Sequence, residues 1–216
     1  MKPDELEVLE GLVDRAGDLL ARTPADQRCL LGVVGAPGGG KSTLVEALLP
    51  ALAGGLGEAV AHVPMDGFHL ADAQLDRLGR RERKGAPDTY DVDGYAAALF
   101  RCRHDLGHDV FVPGFERSLE QPIAAALVVP APARLVLTEG NYLLHDADGW
   151  DQVRPLLDEC WYVDLADEVR RQRLVARHVL FGKSPDQAAA WVETVDEPNA
   201  LLVAHGRSRA DLVIAP

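Results

Sequence analysis

A three-layer α/β fold, with a parallel sheet covered by helices on both faces, is predicted by three features of the 216-residue sequence. Short apolar runs alternate with stretches of helical periodicity, the pattern of strands joined by crossover helices. The first apolar run, ending at Val34, passes directly into a glycine-rich turn and then into a helix-forming segment. The composition, 47% hydrophobic and 26% charged, is that of a chain able to bury a core.

Element by element, the pattern begins with Leu6, Leu9, Val13, Ala16 and Leu20, which share one face of a helix over 4–22. The apolar run 28–34 reads as a buried strand, and 42–52 as a helix. A second strand, 59–64, stops just before Asp66, and 70–78 is helical. A polar, basic loop runs to Tyr90, and a helix follows over 93–105. Strands are expected at 109–112, 124–129 and 134–138, with a short helix at 150–157. A strand at 160–165 leads into a helix at 166–180. Ser184-Pro185-Asp186-Gln187 carries a capping serine, a first-turn proline and glutamine at the box position, so a further helix starts there. Residues 210–214 close the chain as a strand. The length suits one domain over 1–216, with a small helical lid at about 167–184 and an insertion at about 67–130.

Charge limits the partners. The net charge is −12, the opposite of what a duplex nucleic acid or an anionic membrane surface attracts. Three separated cysteines, Cys29, Cys102 and Cys160, form no CxxC pair, so neither a disulfide framework nor a zinc site is expected. His104 and His108 have no third ligand near them and read as surface residues. The first residues, MKPDELEVLE, lack the basic start of a signal peptide, and no apolar stretch is long enough to span a bilayer, which fits a cytoplasmic protein.

The glycine-rich turn carries the chemistry. Gly35-Ala36-Pro37-Gly38-Gly39-Gly40-Lys41-Ser42 fits GxxxxGK[ST], with Thr43 after it, a strand before it and a helix behind it. Glycines let backbone N–H groups approach phosphate oxygens, and the helix start adds its positive dipole end. Lys41 neutralises the β- and γ-phosphates, and the Ser42 hydroxyl is placed to hold Mg²⁺. These are the marks of a P-loop NTPase fold.

Two acids stand at strand ends, where open α/β sheets bind ligands. Asp66, in His62-Val-Pro-Met-Asp66-Gly-Phe-His69, can take a proton from an attacking hydroxyl; the alternative is an aspartate that caps a turn. His69 either lines the substrate pocket or is a structural hydrogen bonder. Glu139 ends the strand LVLTE and can hold Mg²⁺ opposite Ser42, or it is a solvated strand-end acid. Basic residues cluster in two segments: Arg77, Arg80, Arg81, Arg83 and Lys84, and again Arg170, Arg171, Arg173, Arg177 and Lys183. Arg170, Arg173 and Arg177 share a helix face, either closing over a triphosphate or lying solvated with Asp167 and Glu168.

Together the segments GAPGGGKST, MDGFH, RKGAPDTYD, LTEGNYLL, the arginine-bearing helix and SRADLVI resemble the kinase superfamily that contains uridine kinase, phosphoribulokinase and bacterial type I pantothenate kinase. The likeness runs from about residue 30 to 214. It implies an ATP- and Mg²⁺-dependent phosphotransferase acting on a hydroxyl of a small metabolite, such as a nucleoside, a sugar or a pantothenate-like acceptor. By the same likeness Asp66 is the general base, Glu139 lies near Mg²⁺, and Arg173 and Arg177 are lid arginines that meet ATP. Arg83, Lys84, Pro87 and Tyr90 match the acceptor loop, Asn199 an acceptor-binding asparagine, and a homodimer is common in such relatives. GFERSLEQPI, residues 114–123, departs from the tyrosine-rich stretch of pantothenate kinases. A nucleotide-dependent switch or metallochaperone-type GTPase is the alternative; the absent NKxD tetrad and the lack of a Cys/His cluster weigh against it.

Overall fold

The computed structural model describes residues 3–56 and 59–215. Five strands form one parallel sheet in the order β2-β5-β1-β6-β7: β1 (Cys29–Gly35), β2 (Val60–Pro64), β5 (Leu135–Gly140), β6 (Glu159–Val163) and β7 (Leu212–Ile214). All seven residues of the central strand β1 are buried, as a strand covered on both faces requires. Its odd positions Cys29, Leu31 and Val33 face one apolar layer, completed by Leu12, Ala16 and Leu19 of α1 (Pro3–Arg22) and Val45, Leu48 and Leu52 of α2 (Lys41–Leu56). Its even positions Leu30 and Val34 face the other, with Tyr95 and Leu99 of α4 (Val92–His104), Val203 of α7 (Glu197–His205), and Tyr142 and Trp150. The short α3 (Asp72–Leu78) lies between β2 and α4 in the chain. Among the described residues no helix is long and apolar enough to cross a membrane.

Two sequence expectations change. The strands expected at 109–112 and 124–129 are longer, β3 (Val110–Glu116) and β4 (Gln121–Val129), and stand outside the parallel sheet as an antiparallel hairpin. Their half-buried patterns explain this, because a parallel strand is buried on both sides. The helix expected at 150–157 is two 3₁₀ turns, Trp150–Gln152 and Arg154–Leu156; Pro155 has no N–H to continue a helix through them.

After β6 the chain forms α5 (Asp167–Leu180) and α6 (Pro185–Trp191). The Ser184 hydroxyl accepts from the Gln187 amide, and the Gln187 side chain accepts from the Ser184 amide, the reciprocal cap read from sequence. A π-turn, Val192–Asp196, joins α6 to α7.

Candidate active site

The site lies at the carboxyl ends of β1, β5 and β2. After Gly35 the chain turns tightly, with the Gly39 amide donating to the Ala36 carbonyl at 2.9 Å, and α2 begins at Lys41. Gly38 and Gly40 take φ of 73° and 90°, where a side chain is strained. A Cβ on Gly38 would also stand 2.6 Å from Leu174 Cγ, so α5 packs directly on the turn.

Ser42 Oγ, on the first turn of α2, donates to the Glu139 carboxylate, 3.2 Å from Oε1 and 3.1 Å from Oε2. Glu139 sits on β5 in register with Val33 of β1 on one side and Pro64 of β2 on the other. Burial pushes its carboxyl up, against the opposing pull of Lys41 and the Ser42 hydrogen bond. Burial likewise pushes the Lys41 ammonium down, while Glu139 and Asp66 hold it up.

Asp66 follows β2 in the 3₁₀ turn Met65–Phe68. Desolvation raises its carboxyl, but His69, Arg117, Lys41 and Arg177 outweigh that and hold it below the usual carboxylate range. The Arg117 guanidinium donates to Asp66 Oδ2 at 3.0 Å. Gly67 permits this approach: a Cβ there would lie 2.3 Å from the Pro113 carbonyl oxygen of the hairpin. His69 Nδ1 is 2.8 Å from the Asp66 carbonyl oxygen, and burial pushes the imidazole down. The neutral ring donates from Nδ1 and leaves Nε2 as an acceptor.

A cavity of about 390 Å³ joins these groups, within the size range of small-molecule sites. Of the residues singled out in the sequence, Pro37, Lys41, Ser42, Asp66, His69, Arg81, Lys84, Tyr90, Glu139, Arg177, Lys183 and Asn199 line it. Asn199 is nearly buried and donates to the Gly85 carbonyl at 3.5 Å, which also accepts from the Tyr142 hydroxyl.

Other residues fall elsewhere. Arg83 lies outside the cavity, exposed and paired with Asp88 at 2.6 Å. Its neighbours Arg81 and Lys84 reach inward instead, both to Asp72. Arg170 does not share the nucleotide-facing role read for its helix face. It is 2% exposed and paired with Asp167 and Glu197. Arg173 and Arg177 are exposed and carry no ion pair among the described residues; Arg173 Nη1 lies 3.5 Å from where a Gly40 Cβ would stand.

Arg117 and Phe115 are among the cavity residues that sequence reasoning passed over, as are Asp72, Glu120 and Asn141. For Arg117 and Phe115 the signal was available in part: they lie in the one segment, GFERSLEQPI, that departs from the expected acceptor stretch. The lid end, with Phe181, Trp191 and the His178–Asp196 pair at 2.8 Å, was also unread.

The donor set formed by Ser42 and Glu139 is all oxygen, which suits a hard divalent cation that draws its remaining ligands from phosphates and water. Among the described residues no group of three or more His, Cys, Asp or Glu could hold a metal by itself. Such an ion, when bound, neutralises charge on the phosphates.

A phosphate-binding turn, a Ser–Glu oxygen pair and a strand-end aspartate in one cavity define a P-loop phosphotransferase. Residues 30–215 match the sequence profile of the phosphoribulokinase/uridine kinase family, and the chain belongs to that family. It is 30% identical over 210 residues to a Schizosaccharomyces pombe protein named a candidate uridine kinase, covering 94% of this chain and 88% of that one. It is 33% identical to the uncharacterized Escherichia coli protein YggC, covering 87% of this chain and 78% of YggC. A crystal structure of a candidate fructose transport system kinase from Silicibacter sp. TM1040 superposes with a TM-score of 0.84 at 36% identity, covering 94% of this chain and 98% of that one.

Proposed function

We propose that this chain transfers the γ-phosphate of ATP to a hydroxyl of a small metabolite. The observation that carries the reading is the convergence of Lys41, the Ser42–Glu139 pair and Asp66 on one cavity. ATP lies on Gly35–Thr43, with its terminal phosphates toward Lys41. Ser42 and Glu139 hold Mg²⁺. Asp66, ionised at neutral pH, accepts the hydroxyl proton as the alcohol oxygen attacks the γ-phosphorus and the bond to the β-phosphate bridging oxygen breaks, leaving ADP. Arg173 and Arg177 offset the charge spread over the moving phosphoryl group. Residues 167–184 act as the lid over the nucleotide, and 67–130 shape the acceptor end, with His69, Lys84, Tyr90 and Asn199.

The test is ADP release from Mg²⁺–ATP by purified protein against panels of nucleosides, sugars, sugar phosphates and vitamins. An alcohol-dependent rise in ADP with a phosphorylated product supports the reading. Slow GTP hydrolysis indifferent to every alcohol overturns it.

A further inference from the structure

Three cations gather at the acceptor end of the cavity, Arg117, Lys84 and Arg81. Arg117, on the turn between β3 and β4, has Asp66 as its one carboxylate partner among the described residues. Its guanidinium carbon stands 5.5 Å from the centre of the Phe115 ring, and Lys84 Nζ stands 5.5 Å from the centre of the same ring. Arg81 lines the same end. Against these three cations, apart from Asp66, stand Asp72 and Glu120. Asp72 is shared, 2.8 Å from Arg81 and 2.8 Å from Lys84, and Lys84 also donates to the Glu120 backbone carbonyl.

The pairing of Arg117 with Asp66 conflicts with the task of Asp66. A base must turn its carboxylate to the incoming hydroxyl, and Arg117 then has to share its only counterion. We infer that the acceptor is itself an anion, an alcohol that also carries a carboxylate or a phosphate, and that Arg117 and Lys84 receive that group. This rests on the kinase reading above. A guanidinium presents paired donors to a planar carboxylate or a phosphate, and an ammonium beside it adds a point charge. The rings nearest Asp66 are packed on one another. The His69 ring centre lies 4.1 Å from that of Tyr90 and 4.9 Å from that of Phe115, both tilted.

The experiment compares initial rates of ADP formation from Mg²⁺–ATP for three sets of alcohols: glycerate and pantothenate as carboxylates, ribose 5-phosphate and fructose 6-phosphate as phosphates, and glycerol, ribose and uridine as neutral compounds. At least one anionic alcohol is expected to exceed every neutral one in kcat/KM by about 100-fold or more, a threshold below the roughly 10⁴- to 10⁵-fold by which a site built for a polar group rejects an analogue lacking it. Whether the carboxylates or the phosphates lead identifies the source of the charge. Arg117→Gln and Lys84→Gln should each raise KM for that acceptor roughly 10- to 100-fold, the scale of one charge-assisted hydrogen bond, and move KM for ATP far less. Turnover of neutral alcohols as good as or better than the anions overturns the inference and leaves the kinase reading standing. Unchanged acceptor KM in both variants overturns it too. If no alcohol of any set raises ADP release, the kinase reading fails and takes this inference with it.

Discussion

Ser42 Oγ on α2 and the Glu139 carboxylate on β5 lie within hydrogen-bond distance at both carboxylate oxygens, 3.2 and 3.1 Å, and so tie the phosphate-binding turn to the neighbouring strand. A buried carboxylate is kept at this strand end, where desolvation opposes its charge. A bound cation would repay that cost. Glu139→Gln keeps the shape and removes the charge, and should cut turnover roughly 10- to 100-fold while raising the Mg²⁺ concentration needed for half-maximal rate. A Mg²⁺ titration of the two proteins checks this; identical midpoints would remove Glu139 from the metal site.

Asp66→Asn should lower turnover by roughly 10²- to 10⁴-fold, with ATP affinity by calorimetry close to wild type. The pH profile offers a second check. The surrounding cations hold the Asp66 carboxyl down, so the base stays ionised into more acidic solution than a free aspartate would. The acid limb of kcat/KM should therefore lie below the ordinary carboxylate range. Arg117→Gln removes one of those cations and should shift that limb to higher pH. A limb that moves the other way would separate it from Asp66.

Arginines one turn apart on α5 should behave oppositely. Arg170, buried and ion-paired with Glu197, ties α5 to α7. Arg170→Ala should cost about 2–4 kcal/mol in urea unfolding, since it opens a buried pair. Arg173 is exposed and unpaired among the described residues. Arg173→Ala should change stability by no more than about 0.5 kcal/mol, yet lower turnover roughly a thousand-fold if it stabilises the moving phosphoryl group. Equal losses of stability in both variants would contradict this division.

His62, half-buried on β2 with no partner at Nε2, gives the fold a pH dependence of its own. Burial pushes its imidazole down to about 4. An unfolded histidine titrates near 6.5, so between these values the unfolded chain binds more protons than the folded one. Stability is full above about pH 6.5 and falls on acidification toward 4, by about 2–3 kcal/mol from this residue. Urea unfolding of wild type and His62→Val between pH 7.5 and 5 measures the difference; parallel curves would rule the residue out.

The nucleotide half of the site could be read from the chain because its requirements are local. Eight consecutive residues, Gly35 to Ser42, set the turn, the lysine and the hydroxyl, and the strand before and helix after are legible on their own. The acceptor half is assembled at long range. Arg117 meets Asp66 across 51 positions of sequence, and nothing local marks it. Within the run Arg81-Glu82-Arg83-Lys84, only the placement of Asp72 and Asp88 decides which cations face inward. Helical spacing put Arg170 beside Arg173, but could not reveal that Glu197 waits opposite. Arg28 was likewise illegible: the apolar run 28–34 takes it in, but it precedes β1, fully buried, and its guanidinium donates to the carbonyls of Ala133, Cys102, Asp105, Pro130 and Ala131. The antiparallel hairpin was half legible, since its residues alternate too weakly to show which sheet they join.

Leu174 occupies the space that a side chain on Gly38 would need, and the Arg170 carbonyl lies beside it. The helix is thus clamped near its middle to the very turn it covers, like a lever fixed at its fulcrum. Swinging its first two turns away as a rigid flap would tear open the packing beneath the phosphates. Any closure over a bound nucleotide falls to the part of α5 beyond Leu174, where Arg177, His178 and Phe181 border the cavity and His178 is tied to Asp196 at 2.8 Å.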